Sequence, residues 1–395
     1  MTIRRRLRCT VLLALVPVLA AVGCKEGNEQ FDADPVAGDG CALGREVAQL
    51  DESFEDPRRV DVLFVVSDAP GTESLQRRLS TAIPRFIALL DSDGLDYHIG
   101  VTTGDARSAS ATGSLRLGGD GVAGCEAPSR IVTPADGELA ARHAACNALV
   151  GTRGPHLQQP LDAAVAALTV RASEPDEDGG NFTFLRPRAR LLIIFVTDRD
   201  DCSGAGVAIE GDTAQSVASR CAQVADTLTS VTGSDAGFAE RLRALKLDPE
   251  SVAVGVFGGS DDGRETAEGD VLEASCADAE GAAVYPTTRL IRLVDALHPR
   301  SVFEPACAGS FGVSIAHVAR LGEPTAFTVC ARHEVLGSPI GVELLEGSTR
   351  SSLSAGTEGF VFLGATEVCP NGAVAVSPEV LTSGNSSVEL RYCTP

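Results

Sequence analysis

The 395-residue sequence is short of the patterns that mark several kinds of chemistry. It holds no G-x-x-x-x-G-K-[ST], no H-E-x-x-H and no G-x-S-x-G, so a phosphate cradle, a zinc-protease helix and a nucleophile elbow all lack their anchor residues. Its six histidines are scattered without a repeat. Lysine is nearly missing: Lys25 and Lys246 are the only two among 33 basic residues, a bias of the kind that GC-rich coding produces and that says nothing about activity. No two cysteines stand as C-x-x-C, which removes the close pairs that a structural zinc site needs. Positive charge is scarce, with 33 basic against 54 acidic residues and a net charge of −21. With no basic stripe to offset that field, nucleic acid is excluded as an expected partner.

What is present begins with a targeting pattern. Arg4, Arg5, Arg6 and Arg8 precede an apolar stretch of 12 residues from Val11 to Val22, too short to span a bilayer. It ends in Ala20-Ala21-Val22-Gly23-Cys24, which resembles a bacterial lipobox; residues 1–23 are then a lipoprotein signal peptide and Cys24 the lipidated residue. Removing them takes away four arginines and no acid, so −21 becomes −25. No later apolar run approaches membrane length, so the expected protein is anchored in the cell envelope, facing the periplasm or the cell surface, rather than spanning.

Of 12 cysteines, Cys9 leaves with the signal and Cys24 carries lipid. The remaining ten, Cys41, Cys125, Cys146, Cys202, Cys221, Cys276, Cys307, Cys330, Cys369 and Cys393, form an even set in an exported chain, which argues for disulfides. Connectivity stays open, but short loops favour Cys125 with Cys146, Cys202 with Cys221 and Cys276 with Cys307.

Residues 24–57, rich in Gly, Asp, Glu and Pro, read as an acidic flexible tether whose distal end Cys41 stitches to the body. Val60-Asp61-Val62-Leu63-Phe64-Val65-Val66 then stops at Ser67-Asp68-Ala69-Pro70-Gly71, the form of a strand buried on both faces. Similar runs end at Thr103, at Asp198 and at Gly259, with amphipathic segments between them. Leu75, Leu79, Ile83, Phe86, Ile87 and Leu90 predict a helix over 72–90 that Pro84 should kink or restart. Gly154-Pro155-His156 predicts the opening of another, with Leu157, Leu161, Val165 and Leu168 inward. The alternation predicts an α/β domain over 58–321 with a doubly wound, mainly parallel sheet. From 323 the period becomes two, and five short strands predict a small all-β, sandwich-like module over 323–395.

The order of these elements, with Val60 to Val66 and its loop, Asp96 to Thr103, Ile193 to Asp198 and Asp201-Cys202-Ser203, resembles the von Willebrand factor A domain of a group of bacterial lipoproteins. That resemblance implies a metal ion-dependent adhesion site with a D-x-S-x-S loop, a Thr from a second loop and an Asp after the fourth strand. The matching positions are Ser67, Ala69 and Gly71, then His156, then Asp198, so only the last survives in kind. Ala and Gly supply no side-chain oxygen for a hard cation, and the site is expected to be degenerate, with no bound metal or other cofactor. Asp68, Thr103, Asp105, Asp198 and Asp200 still fall at the carboxyl edge of the sheet, together with Asp201, where a residual Ca²⁺ site is conceivable. The plainer role for Asp68 and Asp198 is to cap the helices that follow them, and for His156 to start one.

Two functions remain on these grounds. The first is an envelope lipoprotein that binds a protein or polysaccharide without catalysis. The second is an exported hydrolase, or a cation-dependent adhesin, using Asp68, Asp198 and Asp200.

Overall fold

The computed structural model describes residues 42–49, 56–107, 112–119, 122–125, 129–175, 180–204, 209, 211–233, 236–246, 248–261, 271–278, 280–323, 326–366, 369–381 and 386–395. The expected signal segment, Cys24, Cys41 and tether residues 24–41 lie outside them. No helix among the described residues is long and apolar enough to cross a membrane.

Along the chain come β1 (Ala42–Gln49), β2 (Asp56–Val66), α1 (Glu73–Ser92), β3 (Asp96–Thr103), β4 (Ile131–Val132), α2 (Ala140–Asn147), α3 (Pro160–Leu168) and β5 (Ala189–Val196). They are followed by α4 (Ala214–Gln223), α5 (Phe238–Arg243), β6 (Val252–Gly258), β7 (Cys276–Ala277), β8 (Ala283–Val284), α6 (Thr288–Ala296), β9 (Ser301–Pro305) and α7 (Ser314–Arg320). The last strands are β10 (Phe327–Cys330), β11 (Gly341–Glu346), β12 (Thr349–Ser352), β13 (Phe360–Gly364), β14 (Ala373–Val376) and β15 (Ser386–Thr394). Two compact units result, Glu52–Pro324 and Thr325–Pro395, the latter including β1.

The first unit is an α/β domain on a six-stranded sheet ordered β4-β3-β2-β5-β6-β9. All neighbours are parallel except the two-residue β4, which runs antiparallel at the edge beside β3. Pleating sends alternate residues to opposite faces, and β2 supplies both. Val60, Val62, Phe64 and Val66 join a core with α1, α2 and α7, while Leu63 and Val65 join another with α3, α5 and α6. Both faces are therefore covered, which is what the unbroken apolar run requires. Close approach matters at Gly255, where a Cβ would sit 2.8 Å from Val318 Cγ1 and force that side chain of α7 to shift. At the amino end of β2, Asp61 is fully buried and accepts from Arg186 N at 2.7 Å and Arg186 Nε at 2.8 Å. Lys246 Nζ stands 4.0 Å from the same carboxylate and donates to the Arg186 carbonyl.

Three expectations are corrected here. Helix α1 runs through Pro84 as one element with no second start there, and Leu79, Ile83, Phe86 and Ile87 on both sides of it are buried in the same core. Helix α3 starts at Pro160 rather than at Gly154, since proline fits the first helical position and disfavours helix in the residue before it. Residues 42–49, expected within the tether, form β1 instead and pair antiparallel with β15, from Ala42 with Thr394 to Gln49 with Ser387. Arg45 bonds Glu389 at 2.6 Å, and Tyr392 Oη bonds Glu46 Oε1 at 3.0 Å.

In the second unit, β1-β15-β11-β12 and β10-β14-β13 form two antiparallel sheets that share one core, including Val342, Val374, Val388 and Tyr392. Cysteines pair as Cys125–Cys146, Cys202–Cys221 and Cys276–Cys307 in the α/β domain and Cys330–Cys369 in the β module. Cys393 is disulfide-bonded as well. Bridges that close loops of 19 to 39 residues each add about 3–4 kcal/mol, chiefly by restricting the unfolded chain, and they matter most for the thin core of the β module.

Candidate functional site at the carboxyl edge of the parallel sheet

The chain leaves β2 toward β3 on one side, whereas β5 leads to β6 on the other, so the strand order reverses between β2 and β5. Open parallel sheets place ligands in the crevice outside that point. Ser67, the first residue past β2, continues the pairing, its N–H donating to Val196 O at 2.9 Å. Its carbonyl takes Thr72 Oγ1 at 3.1 Å and Gln76 Nε2 at 2.9 Å, and Gln76 exchanges two further bonds with the backbone of Gly151. The turn holding Ala69 and Gly71 is thus fixed to the segment carrying His156, and neither residue brings a side-chain oxygen.

Ser67 Oγ donates to Asp198 Oδ1 at 3.1 Å. The rest of that carboxylate belongs to Arg199, whose Nε lies 3.1 Å from both oxygens and whose Nη2 completes the ion pair. Arg199 is 1% exposed. Its Nη1 donates to His156 O at 3.0 Å and lies 3.2 Å from His156 Nδ1. A guanidinium can only donate, so Nδ1 is the accepting nitrogen of a neutral ring. Burial, and then the charge of Arg199, hold the His156 pKa below its ordinary value.

Helix capping is done by other carboxylates than expected. Asp201, fully buried, accepts from Leu161 N in the first turn of α3 at 3.0 Å, from Ser203 N and Oγ, and from Arg289 Nε at 3.1 Å. Asp200 accepts from Arg289 N at the start of α6 at 3.0 Å and from Asp201 N at 2.9 Å. Asp198 faces Arg199, and α1 has no side-chain cap, so the capping role assigned to Asp68 and Asp198 is corrected. His156 stands in a loop before α3, not at a helix start.

Part of Asp200 reaches the surface, but its carboxyl group is enclosed, and that burial pushes its pKa up to about 7. A carboxyl whose folded pKa lies above its unfolded value contributes stability that is lost as pH rises through the folded value. Asp200→Asn removes the buried charge and keeps an acceptor for α6. The variant should therefore gain thermal stability over the parent near about pH 9 and differ little near about pH 3, below the ordinary carboxyl value. A variant less stable at the alkaline value would refute the sign.

Asp68 and Asp105 open a different feature, a cleft of about 360 Å³ lined also by Thr103, Arg116 and Arg153. Thr103 is buried at the end of β3, in register with Val66. Asp68 is 7% exposed, and burial raises its pKa; a bond from Gln158 Nε2 at 3.2 Å opposes the rise and the nearby charge of Asp105 adds to it. Burial works the same way on Asp105, but the two side-chain bonds from Arg107, at 3.0 and 2.8 Å, outweigh it and leave its pKa low. A Cβ at Gly154 would lie 2.2 Å from Asp68 Oδ1, so any larger residue there would displace the Asp68 carboxylate.

The site residues read from the sequence thus divide into a closed crevice, with Ser67, His156 and Asp198, and an open cleft, with Asp68, Thr103 and Asp105. Asp200 belongs to neither. Sequence reading missed Arg199, Gln76 and Gln158, and gave Asp201 no capping role. The available signal for Arg199 was an arginine directly after a buried strand's terminal Asp.

The donors in the crevice do not fit a hard divalent cation. Ser67 and Asp198 are bonded to each other, Ala69 and Gly71 offer no side-chain oxygen, and a positive charge already touches both carboxylate oxygens. Among the described residues, no group of three or more His, Cys, Asp or Glu is placed to hold a metal ion.

No protein-family profile matches the sequence, and no curated protein does. Among solved structures, the chain is similar to proximal thread matrix protein 1 of the mussel byssus, at 12% identity and a TM-score of 0.34, over 71% of this chain and 51% of that one. It is similar to the pilus adhesin SpaC of Lactobacillus rhamnosus GG in its open conformation, at 9% identity and a TM-score of 0.35, over 86% and 39%. The human COPII-coat protein Sec24c is matched at 9% and 0.35, over 91% and 43%. All three likenesses are distant, and the chain spans about half or less of each.

Proposed function

We propose that this chain is a lipid-anchored envelope protein whose von Willebrand A-like domain binds a protein or polysaccharide, without a bound metal and without catalysis. The observation that carries this reading is Arg199, whose guanidinium fills the crevice at the point where the strand order reverses. The strand order, the buried run of β2 and the paired cysteines support the fold assignment; Ala20-Ala21-Val22-Gly23-Cys24 supports the anchor. The hydrolase reading finds less support, because Asp198 and Asp200 are spent on Arg199 and on the start of α6. Asp68, the third acid of that reading, lines the separate cleft with Asp105 and does not meet either of them.

The test is carboxyl-directed cross-linking on intact cells that express the full chain or its Cys24→Ala variant, with EDTA or with Mg²⁺. The full chain should sediment with membranes and capture the same partner in both media, and Cys24→Ala should appear in the soluble fraction. Capture lost in EDTA and restored by Mg²⁺ would establish a cation-dependent adhesin instead. Membrane retention and lipid labelling of Cys24→Ala would refute the anchor.

A further inference from the structure

The open cleft holds polar groups that the closed crevice does not leave over. Arg116 and Arg153 stand in its wall, and among the described residues neither guanidinium makes a hydrogen bond or an ion pair; Arg116 Nε is buried and unbonded. The hydroxyl of Thr103, a buried residue, is likewise without a partner among them. Asp105 is already neutralised by Arg107, so Asp68 and the two unbonded guanidinia leave the cleft with one uncompensated positive charge. The walls are set before any ligand arrives. Arg116 N donates to Val101 O at 2.7 Å, Gly118 N to Asn147 Oδ1 at 3.2 Å, and Gly119 N to Leu149 O at 2.9 Å. Across the cleft, Gly154 N donates to Asp68 O at 2.8 Å, and Gln158 Nε2 steadies the Asp68 carboxylate. A wall fixed in this way spares a ligand the cost of ordering it.

An unbonded guanidinium in a partly enclosed site recognises a carboxylate, whose two oxygens match its planar fork. Asp68 can only accept and Thr103 can donate or accept, which suits hydroxyl groups. Leu117, half exposed, and Leu149 add apolar surface for the C–H face of a ring. A chain charge of −21 repels dense polyanions, so the favoured ligand carries isolated carboxylates among hydroxyls. An acidic peptide side chain brings the carboxylate without the hydroxyls and leaves Asp68 and Thr103 unused. The cleft volume of about 360 Å³ is in the range of small-ligand sites.

We propose that this cleft binds a sugar acid of a polysaccharide, with Arg116 and Arg153 taking the carboxylate of a uronic acid and Asp68 and Thr103 its hydroxyls. This assignment rests on the binding function proposed above and names the ligand class of that domain. None of the four residues occupies a position aligned with the adhesion-site ligands, and no cation takes part.

Saturation-transfer NMR on the full chain tests it with methyl glucuronide, methyl galacturonide, neutral methyl glucoside and a blocked glutamate residue. At least one of the two uronides should bind roughly tenfold or more tightly than the glucoside and the glutamate. Arg116→Gln and Arg153→Gln should each weaken that uronide by roughly tenfold, and Thr103→Val, which removes only the hydroxyl, by about threefold or more. Arg153 is exposed, so its variant keeps the fold and decides the matter if Arg116→Gln is recovered unfolded. Failure of both uronides to bind, equal binding of the glucoside, tighter binding of the glutamate, or unchanged affinity in folded arginine variants would each overturn the proposal. Partner capture on intact cells is read separately. Capture that continues while both uronides fail sinks the sugar-acid assignment alone, and loss of capture in every medium sinks the binding function itself.

Discussion

Asp198→Ala is expected to lower folding stability by about 3–5 kcal/mol, because it leaves the guanidinium of Arg199 buried without its counter-ion. Arg199 is 1% exposed, and its remaining partners are the carbonyl and ring nitrogen of His156. Neither carries a negative charge. Ser67 Oγ loses its acceptor in the same stroke. The double variant Asp198→Ala/Arg199→Met removes both charges and should recover most of the loss, since replacing a buried ion pair by apolar groups is often close to neutral. Urea unfolding at unchanged slope measures both. A single-variant loss below about 1 kcal/mol would mean that the pair behaves as a solvent-screened surface contact, and the closed-crevice account would fall with it.

Asp201→Ala should have an effect of the same size by a different route. Its carboxylate is fully buried and serves Leu161 N, Ser203 N and Oγ, and Arg289 Nε. Truncation uncaps α3, strands a buried arginine and loosens the turn that carries Asp198 and Arg199, for an expected loss of about 3–5 kcal/mol. Arg289 keeps the carbonyls of Ser203 and Thr229, which offsets only part of it. Asp201→Asn retains an acceptor and should lose about 1–3 kcal/mol. Amide exchange in the first turn of α3 should quicken in the alanine variant. Unchanged exchange there would assign the loss to Arg289 alone.

Much of the architecture was legible from short-range pattern. Unbroken apolar runs mark β2, β5 and β6 because a strand covered on both faces has no polar side to show. Period-two alternation marks β10, β11, β13, β14 and β15. β1 escaped because its sequence, Ala-Leu-Gly-Arg-Glu-Val-Ala-Gln, exposes Leu43 and Val47 and turns Gly44 inward against the ring of Tyr392. Its partner strand β15 is more than 300 residues away in the chain, and no local signal specifies such pairing. At the sheet edge the acids were legible as a group, but their roles were not. Asp198, Asp200 and Asp201 are near neighbours in sequence, yet one pairs with Arg199, one meets α6 and one caps α3. Which way each side chain turns is decided by the loops that converge there.

The burial of Lys246 beneath the carbonyl of Arg186 has a practical consequence. It is the one lysine among the described residues, so amine-acylating dyes find no accessible ε-amino group among them. Dye uptake at Lys246 would then report the opening of the amino end of the central sheet, read out one molecule at a time by mass.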